Sequence, residues 1–132
     1  PLLALLAACS DSAGPGGDVR VNALLNAEVP PYGTNVSVTV ENVGSRPVLV
    51  PRCGDRIMLV VERRVGGAWQ DYTGDYCAFD VLSVPLELAP GARATSARHL
   101  GEPGRYRARV DVWHADAPDD VHTVRTAGFD IL

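Results

Sequence analysis

The densest group of side chains able to do chemistry lies between residues 114 and 122. It holds two histidines and three aspartates within nine residues, and such side chains can ligate a divalent cation. Their spacing matches no standard metal motif, and ordering a flexible loop around an ion costs conformational entropy. We therefore expect a polar hairpin loop with Ala-Pro-Asp-Asp as its turn, and no metal or other cofactor. The alternative is a metal site with His114, Asp116 and His122 as its ligands.

A row of arginines forms the second group. Arg105, Arg107 and Arg109 alternate along one predicted strand, so they share a face at a spacing of about 6.5–7 Å, and Asp111 extends the row. Such a row is either a patch that binds anions, such as lipid head groups or a cell-wall polymer, or a solvated face with acidic partners on neighbouring strands. We expect the solvated face, because rows of charge are common on protein surfaces.

The sequence lacks the usual catalytic groups. All twelve basic residues other than histidine are arginine, which excludes lysine nucleophiles and Schiff bases. No serine lies in a Gly-x-Ser-x-Gly elbow, and no pair of carboxylates shares an apolar setting. The net charge of −4 argues against a nucleic-acid partner, since such modules usually carry a basic face. We predict a protein that is not an enzyme and binds no nucleic acid.

Cys9 completes a short pattern near the N-terminus. An apolar run, residues 2–8, precedes it, and a small, polar, glycine-rich stretch, residues 10–17, follows. The segment Leu6-Ala7-Ala8-Cys9 resembles the lipobox of bacterial lipoproteins, in which an aliphatic and two small residues precede a cysteine. The resemblance implies cleavage after Ala8, a diacylglyceryl thioether on Cys9 and an acylated new N-terminus. It thus implies a membrane partner, contacted through that lipid.

The resemblance also divides the chain and implies its compartment. Residues 1–8 are the end of a signal peptide, residues 9–17 a lipidated N-terminus with a flexible tether, and residues 18–132 one folded domain. The tether reaches only about 26–29 Å when fully extended, so the domain lies close to the bilayer. Lipoproteins kept in the inner membrane tend to carry aspartate after the cysteine, and Ser10 stands there. We expect the cell envelope, on the periplasmic side of the outer membrane where one exists, a monomer, and a protein or envelope partner.

The remaining cysteines, Cys53 and Cys77, are an even pair in a chain predicted to be exported. We expect them to form a disulfide, because the compartment is oxidising. Closing a separation of 24 residues stabilises a fold by roughly 3 kcal/mol in the chain-entropy model. The alternative is a metal site with two thiol ligands, although no histidine lies near either cysteine in the sequence.

From Asp18 onward the hydrophobic pattern has a period of two, which is typical of strands. Seven to nine short strands with a turn signal every 8–12 residues, and no amphipathic helix, predict an all-β, immunoglobulin-like antiparallel β-sandwich. The absence of alternating strands and helices argues against a parallel sheet. The predicted core consists of Val21, Val36, Val38, Val40, Leu59, Val61, Trp69, Tyr106, Ala108, Val110, Val112 and Phe129.

Three motifs resemble those of bacterial immunoglobulin-like domains of exported proteins. They are Asn35-Val-Ser-Val-Thr-Val-Glu-Asn42, Gly66-Gly67-Ala68-Trp69, and a Pro-Gly-x-Tyr entering a long strand at Tyr106. The third is similar to a tyrosine corner, in which the hydroxyl group bonds to nearby backbone. The resemblance implies a binding or structural domain without enzymatic activity.

Two alternatives to that function stay open. The chain also resembles a small β-sandwich proteinase inhibitor of bacilli, which implies an exposed loop that enters a protease cleft. The loop would be residues 74–83, pinned by Cys77 and carrying Tyr76 and Phe79. The other alternative is a periplasmic metal-binding protein that uses the loop of residues 114–122.

Overall fold

The computed structural model of the protein describes residues 15–25, 33–74, 77 and 83–132. After a 3₁₀ turn, Pro15–Asp18, these residues form short antiparallel strands. In chain order the strands are β1 (Val19–Leu25), β2 (Thr34–Asn42), β3 (Val48–Val50), β4 (Arg52–Cys53), β5 (Arg56–Ile57), β6 (Val60–Val65), β7 (Ala68–Gly74), β8 (Leu86–Leu88), β9 (Arg93–Leu100), β10 (Gly104–Val112), β11 (His122–Arg125) and β12 (Phe129–Ile131). No helix in this part of the chain is long and apolar enough to cross a membrane.

Two sheets make up the sandwich. One has the order β1-β2-β9, and the other has the order β11-β10-β6-β7 with β12 also pairing with β10. The short ladders β3–β8 and β4–β5 lie outside these two sheets. The strands of the first sheet take the places of A, B and E in an immunoglobulin fold, and those of the second take the places of G, F, C and C′. The predicted immunoglobulin-like antiparallel sandwich is confirmed.

The core lies between the two sheets because strand alternation points apolar residues inward. On β2, Val36, Val38 and Val40 are fully buried, while the residues between them lie on the outer face. On β10 the same alternation buries Tyr106 and Val110 and turns the arginines outward. Burying such side chains supplies most of the driving force for folding.

Tyr106 forms the predicted tyrosine corner at the start of β10. Its hydroxyl donates a hydrogen bond of 2.8 Å to the backbone carbonyl of Glu102. The guanidinium of Arg63 lies 5.8 Å from the centre of the ring and donates to the Glu102 carboxylate at 2.7 Å. Burial raises the pKa of the Tyr106 hydroxyl to about 12.

The number of strands differs from the sequence-based expectation of seven to nine. The apolar stretch of residues 57–61 does not form one continuous strand, so β5 and β6 are separate. The two C-terminal strands, β11 and β12, are separated at Thr126, whose hydroxyl accepts a hydrogen bond from the Ala108 backbone nitrogen. With the short β4–β5 ladder, these breaks give twelve strands in the described residues rather than seven to nine.

Trp69 was wrongly assigned to the core. The hairpin between β6 and β7 turns at Gly66 and Gly67, both with positive φ, and pairs Trp69 with Arg64. That register directs the indole to the outer face, where it is half-buried under charged side chains. Phe129 is also only partly buried, at the edge of the core.

The predicted disulfide is present. Cys53 and Cys77 are joined with their Cα atoms 5.4 Å apart, which links β4 to the segment that follows β7. Nearby, Ser83 donates to the Arg52 carbonyl, and Arg52 donates to the Val84 carbonyl. The β4–β5 ladder is thus tied at two points to the chain between β7 and β8.

Candidate functional site

The outer face of the five-stranded sheet carries an unusual set of side chains for a protein of net charge −4. Alternate residues of β10 point outward there, and their neighbours on β6, β7, β11 and β12 are mostly charged. We call this surface the arginine–tryptophan face. It consists of Arg64, Arg105, Arg107, Arg109 and Arg125, the carboxylates Glu62, Asp71, Asp111 and Asp130, and Trp69.

Glu62 lies at the centre of the face. Its side chain is only 8% exposed, and Arg107 donates to it at 3.0 Å. The guanidinium nitrogens of Arg109 and Arg125 lie 3.6 and 3.4 Å from its oxygens. Three guanidinium groups therefore surround one carboxylate, which compensates the cost of removing that carboxylate from water.

Arg109 is fixed by a second carboxylate as well. Asp71 accepts two hydrogen bonds from its guanidinium, at 2.5 and 3.2 Å. This pairing lowers the pKa of the Asp71 carboxyl and raises the pKa of Arg109. Bidentate pairs of this kind fix the plane of the guanidinium group, so the orientation of Arg109 is set before any ligand arrives.

Trp69 contacts the guanidinium groups of Arg107 and of a further arginine, Arg64. The Arg107 guanidinium lies 4.3 Å from the centre of the indole, and that of Arg64 lies 5.5 Å from it. Both distances are within the range of a cation–π interaction. Within the described residues the Arg64 guanidinium makes no hydrogen bond or ion pair, so its charge is available to a ligand.

Five arginines thus face four carboxylates, and the surplus of positive charge lies around Trp69. Four of the arginines lie near Glu62 and Trp69, where their direct ion-pair partners are Glu62 and Asp71, and Asp111 lies beside Arg109. At the two ends of the row, Arg105 is paired with Asp130, and Asp111 accepts a hydrogen bond from Thr123. The centre of the face is therefore suited to a further anion.

A cleft of about 250 Å³ opens where the face meets the β4–β5 ladder. Arg109 and Asp111 form its charged wall, and its remaining lining is apolar, provided by Pro51, Met58, Leu59 and Val60. Clefts that combine an apolar lining with a few fixed polar groups are typical of ligand sites. Arg109 belongs to both the cleft and the arginine–tryptophan face, so the two surfaces are continuous.

The structure gives an acidic partner to each arginine of the predicted row. Arg105 contacts Asp130, Arg107 contacts Glu62, and Arg109 contacts Asp71 and Glu62. The expectation of cross-strand acidic partners holds. Glu62 and Arg125 were not singled out in the sequence, and Trp69 was assigned to the core instead. The roles of these residues depend on which side chains of neighbouring strands cover the sheet.

The three possible metal ligands of the C-terminal loop have separate partners. His114 donates from Nδ1 to the Pro47 carbonyl, Asp116 accepts two hydrogen bonds from Arg46, and His122 contacts Asp120. In the described part of the chain no group of three or more histidine, cysteine, aspartate or glutamate side chains is placed to hold a metal ion.

Some predicted site residues lie outside the described residues. They are Cys9, with the rest of the lipobox, and the loop residues Tyr76 and Phe79. Within the loop proposed for protease inhibition, Cys77 is described, and it is bonded to Cys53.

Comparison with solved structures finds similar folds, two of which are described below. The chain resembles a Northeast Structural Genomics Consortium target, SoR45, with a TM-score of 0.48 and 14% identity, over 86% of this chain and 85% of that chain. It also resembles the ASH or PapD-like domain 7 of human CEP192, with a TM-score of 0.41 and 13% identity, over 85% of each chain. No family model matches the chain, and no curated protein does.

Proposed function

We propose that this protein is an exported lipoprotein whose immunoglobulin-like domain binds an anionic polymer of the cell envelope. The lipid on Cys9 holds the domain at the membrane, and the arginine–tryptophan face holds the polymer. The domain acts by binding and has no catalytic role. The anchor is supported by the lipobox pattern of the sequence, and the binding surface is supported by the charge balance of the outer face.

The observation that carries the proposal is the set of guanidinium groups around Glu62 and Trp69. Glu62 can balance only one of its three arginines, and Asp71 balances a second. Arg64 adds a further charge beside the indole. A carboxylate or phosphate of a ligand would be attracted to this surplus, and the polar groups it meets are already oriented.

An extended polymer suits the shape of this surface. The arginines of β10 repeat at about 6.5–7 Å along a strand, so successive anions on one chain can be met by successive guanidinium groups. Trp69 adds a flat, partly apolar surface that other parts of the same polymer can cover.

The anchor is tested by labelling with radioactive palmitate in the native host. We expect the wild-type protein to be labelled and to fractionate with membranes, and Cys9→Ser to be unlabelled. Labelling that persists in Cys9→Ser would contradict the anchor without bearing on the binding surface.

The binding surface is tested with the soluble Cys9→Ser chain and polygalacturonate, an anionic polysaccharide. Arg64→Gln removes one positive charge from the face without breaking an ion pair. Arg93→Gln is the matched control on the opposite sheet, where its guanidinium contacts Glu41 at 3.2 Å. We expect Arg64→Gln to weaken binding and Arg93→Gln to leave it unchanged, and added salt to weaken binding of the parent. Equal binding by the two variants would contradict the proposal.

A further inference from the structure

The cleft between the arginine–tryptophan face and the β4–β5 ladder has two walls of different chemistry. One wall is apolar, and the other consists of Arg109 and Asp111. Pockets that enclose a whole drug-sized ligand have volumes of about 300–1,000 Å³. The volume of this cleft is about 250 Å³, so it fits one pendant group of a ligand whose main part lies on the face.

The two charged residues of the cleft are oriented by neighbours outside it. Asp71 holds the guanidinium of Arg109 through hydrogen bonds from Nη1 and Nη2, and the Nε–H group makes none with the described residues. The Oδ1 atom of Asp111 accepts a hydrogen bond of 2.8 Å from the Thr123 hydroxyl, whereas Oδ2 accepts none from the described residues. The wall therefore offers one donor and one acceptor on side chains that are already held in place.

A group that contacts both residues has to accept from Arg109 and donate to Asp111. A carboxylate would be repelled by Asp111, and an ammonium group would be repelled by Arg109. An uncharged amide does both, because its carbonyl oxygen accepts and its N–H donates. The two residues are next neighbours on the outer face of β10, about 6.5–7 Å apart along the strand. An amide with a hydrogen bond of about 2.9 Å on either side spans at most about 8 Å, so it can bridge them.

The apolar wall suits a small substituent on such an amide. Leu59 is only 3% exposed, whereas Met58 and Val60 are half-buried. The Met58 nitrogen donates a hydrogen bond of 2.9 Å to the Pro51 carbonyl, which ties two parts of this wall together. A methyl group placed against the wall would be removed from water, which favours binding. An acetamido group combines the amide and the methyl group.

We propose that the cleft binds acetamido groups, so that the anionic polymer is an acidic glycan with N-acetylated sugars. Arg109 donates to the acetamido carbonyl, Asp111 accepts from its N–H, and the methyl group packs against Met58. This inference rests on the proposed function, because it assigns the main part of the polymer to the arginine–tryptophan face. The carboxylates of the glycan are held on that face, and its acetamido groups decide which anionic polymer is bound.

The assignment is tested with the soluble Cys9→Ser chain, with Cys53 and Cys77 oxidised, and with two polymers. Polygalacturonate carries carboxylates and no acetamido group, whereas hyaluronan alternates glucuronate with N-acetylglucosamine. Met58→Gln nearly keeps the length of the side chain and makes its end polar. We expect it to weaken hyaluronan binding by about fourfold, which corresponds to one buried apolar carbon, and to leave polygalacturonate binding unchanged.

Asp111→Ala removes the acceptor of the cleft, and Asp130→Ala is its matched control. Asp130 pairs with Arg105 on the same face and outside the cleft, so each variant removes one negative charge from the face. We expect Asp111→Ala to bind hyaluronan about fivefold more weakly than Asp130→Ala does, because one hydrogen bond is lost. The two variants should bind polygalacturonate equally well.

Met58 is the single methionine of the chain, so its labelled methyl group reports contact with the ligand directly. We expect a nuclear Overhauser effect between this group and the acetyl methyl groups of a hyaluronan oligosaccharide. Absence of this effect, or of hyaluronan binding by the parent, overturns the inference. It is also overturned if Met58→Gln and Asp111→Ala bind hyaluronan as well as the parent and Asp130→Ala do, or if Met58→Gln weakens binding of polyglutamate, an acidic peptide, equally. Polygalacturonate binding that depends on Arg64 would leave the proposed function standing in each case, and loss of that dependence would overturn both.

Discussion

The two sheets present outer faces that use similar residues in different ways. On the three-stranded sheet, Glu41 lies between Arg20 and Arg93, at 3.7 and 3.2 Å, and its side chain is 23% exposed. On the five-stranded sheet, Glu62 lies among three arginines and is 8% exposed. The first arrangement is an ordinary exposed ion pair, whereas the second is a buried charge that its neighbours must satisfy.

Position within the sheet explains this difference. Glu41 lies near the end of β2, whereas Glu62 lies inside β6 between β10 and β7, where long side chains on both sides cover it. The rest of the three-stranded face is mostly hydroxyl and amide groups, such as the Thr39 and Thr95 hydroxyls, which are 2.9 Å apart. We therefore expect a glutamate with arginine neighbours to contribute strongly to stability only where the sheet buries it.

The largest expected effect is unfolding, caused by a substitution in the core that the two sheets share. Val38 is fully buried in the core that the two sheets share. We expect Val38→Asp to unfold the protein, because burying an unpaired charge costs several kcal/mol, a large part of a typical total stability of about 5–15 kcal/mol. Thr39→Asp, one residue away on the outer face, should stay folded. Circular dichroism and urea denaturation check both, and a folded Val38→Asp would refute the assigned core.

The next largest effect compares the contributions of Glu62 and Glu41 to stability. Glu62→Gln leaves three arginines around a neutral amide, and we expect it to lower the free energy of unfolding by about 2–3 kcal/mol. Glu41→Gln, the same change on the other face, should cost less than about 1 kcal/mol. Urea titrations of both variants measure the difference. Equal losses would show that the two faces are energetically alike.

The contrast between these faces could be predicted only in part from the sequence. The period of two in β2 and β10 reflects local backbone geometry, so it predicted the buried valines and the outward arginines. The tyrosine corner was predictable for the same reason, since Tyr106 and Glu102 are four residues apart. The central role of Glu62 was not, because it requires β7, β10 and β11 to bring distant residues over it.

The positions of two other residues, Trp69 and His114, could not be predicted from the sequence either. Trp69 was expected in the core because it is large and apolar, but the register of the β6–β7 hairpin pairs it with Arg64 and so directs it outward. His114 was expected in a solvated loop. It is buried because Trp113 pairs with Leu49 and carries the chain back against β3. Neither pairing has a local signal in the sequence.

A smaller effect concerns the core beneath the arginine–tryptophan face. Tyr106→Phe removes the hydrogen bond to Glu102 and should cost about 1 kcal/mol at neutral pH. The folded state raises the pKa of the hydroxyl to about 12, above its ordinary value of 10.0, so folding favours the protonated form. The resulting stabilisation is present below pH 10 and is lost as the pH rises from 10 to 12. Tyr106→Phe should not lose this stability at alkaline pH. Urea titrations of the parent and of Tyr106→Phe between pH 8 and 12 measure this. The account is wrong if the free energy of unfolding falls equally with pH in both proteins.

The smallest effect is that of Asp71, an exposed carboxylate on the same face. Pairing with Arg109 lowers its pKa in the folded state, so its contribution to stability is present above the pKa of the unfolded chain and is lost as the pH falls through the folded value. Asp71→Asn should thus be slightly less stable than the parent at neutral pH and equal to it in strong acid. Thermal melts from neutral pH to strong acid should show the melting temperatures of Asp71→Asn and the parent becoming equal. A difference between them that grows in acid would contradict the pairing of Asp71 with Arg109.

The central claim is that the arginine–tryptophan face, and not the face of the three-stranded sheet, is the binding surface. Amide chemical shifts of the soluble Cys9→Ser chain, followed during titration with polygalacturonate, test it most directly. The account predicts that shifts concentrate on the central residues of β6, β7, β10 and β11, around Glu62 and Trp69. Shifts confined to β1, β2 and β9, or to the loop of residues 114–122, or no shifts at all, would contradict it.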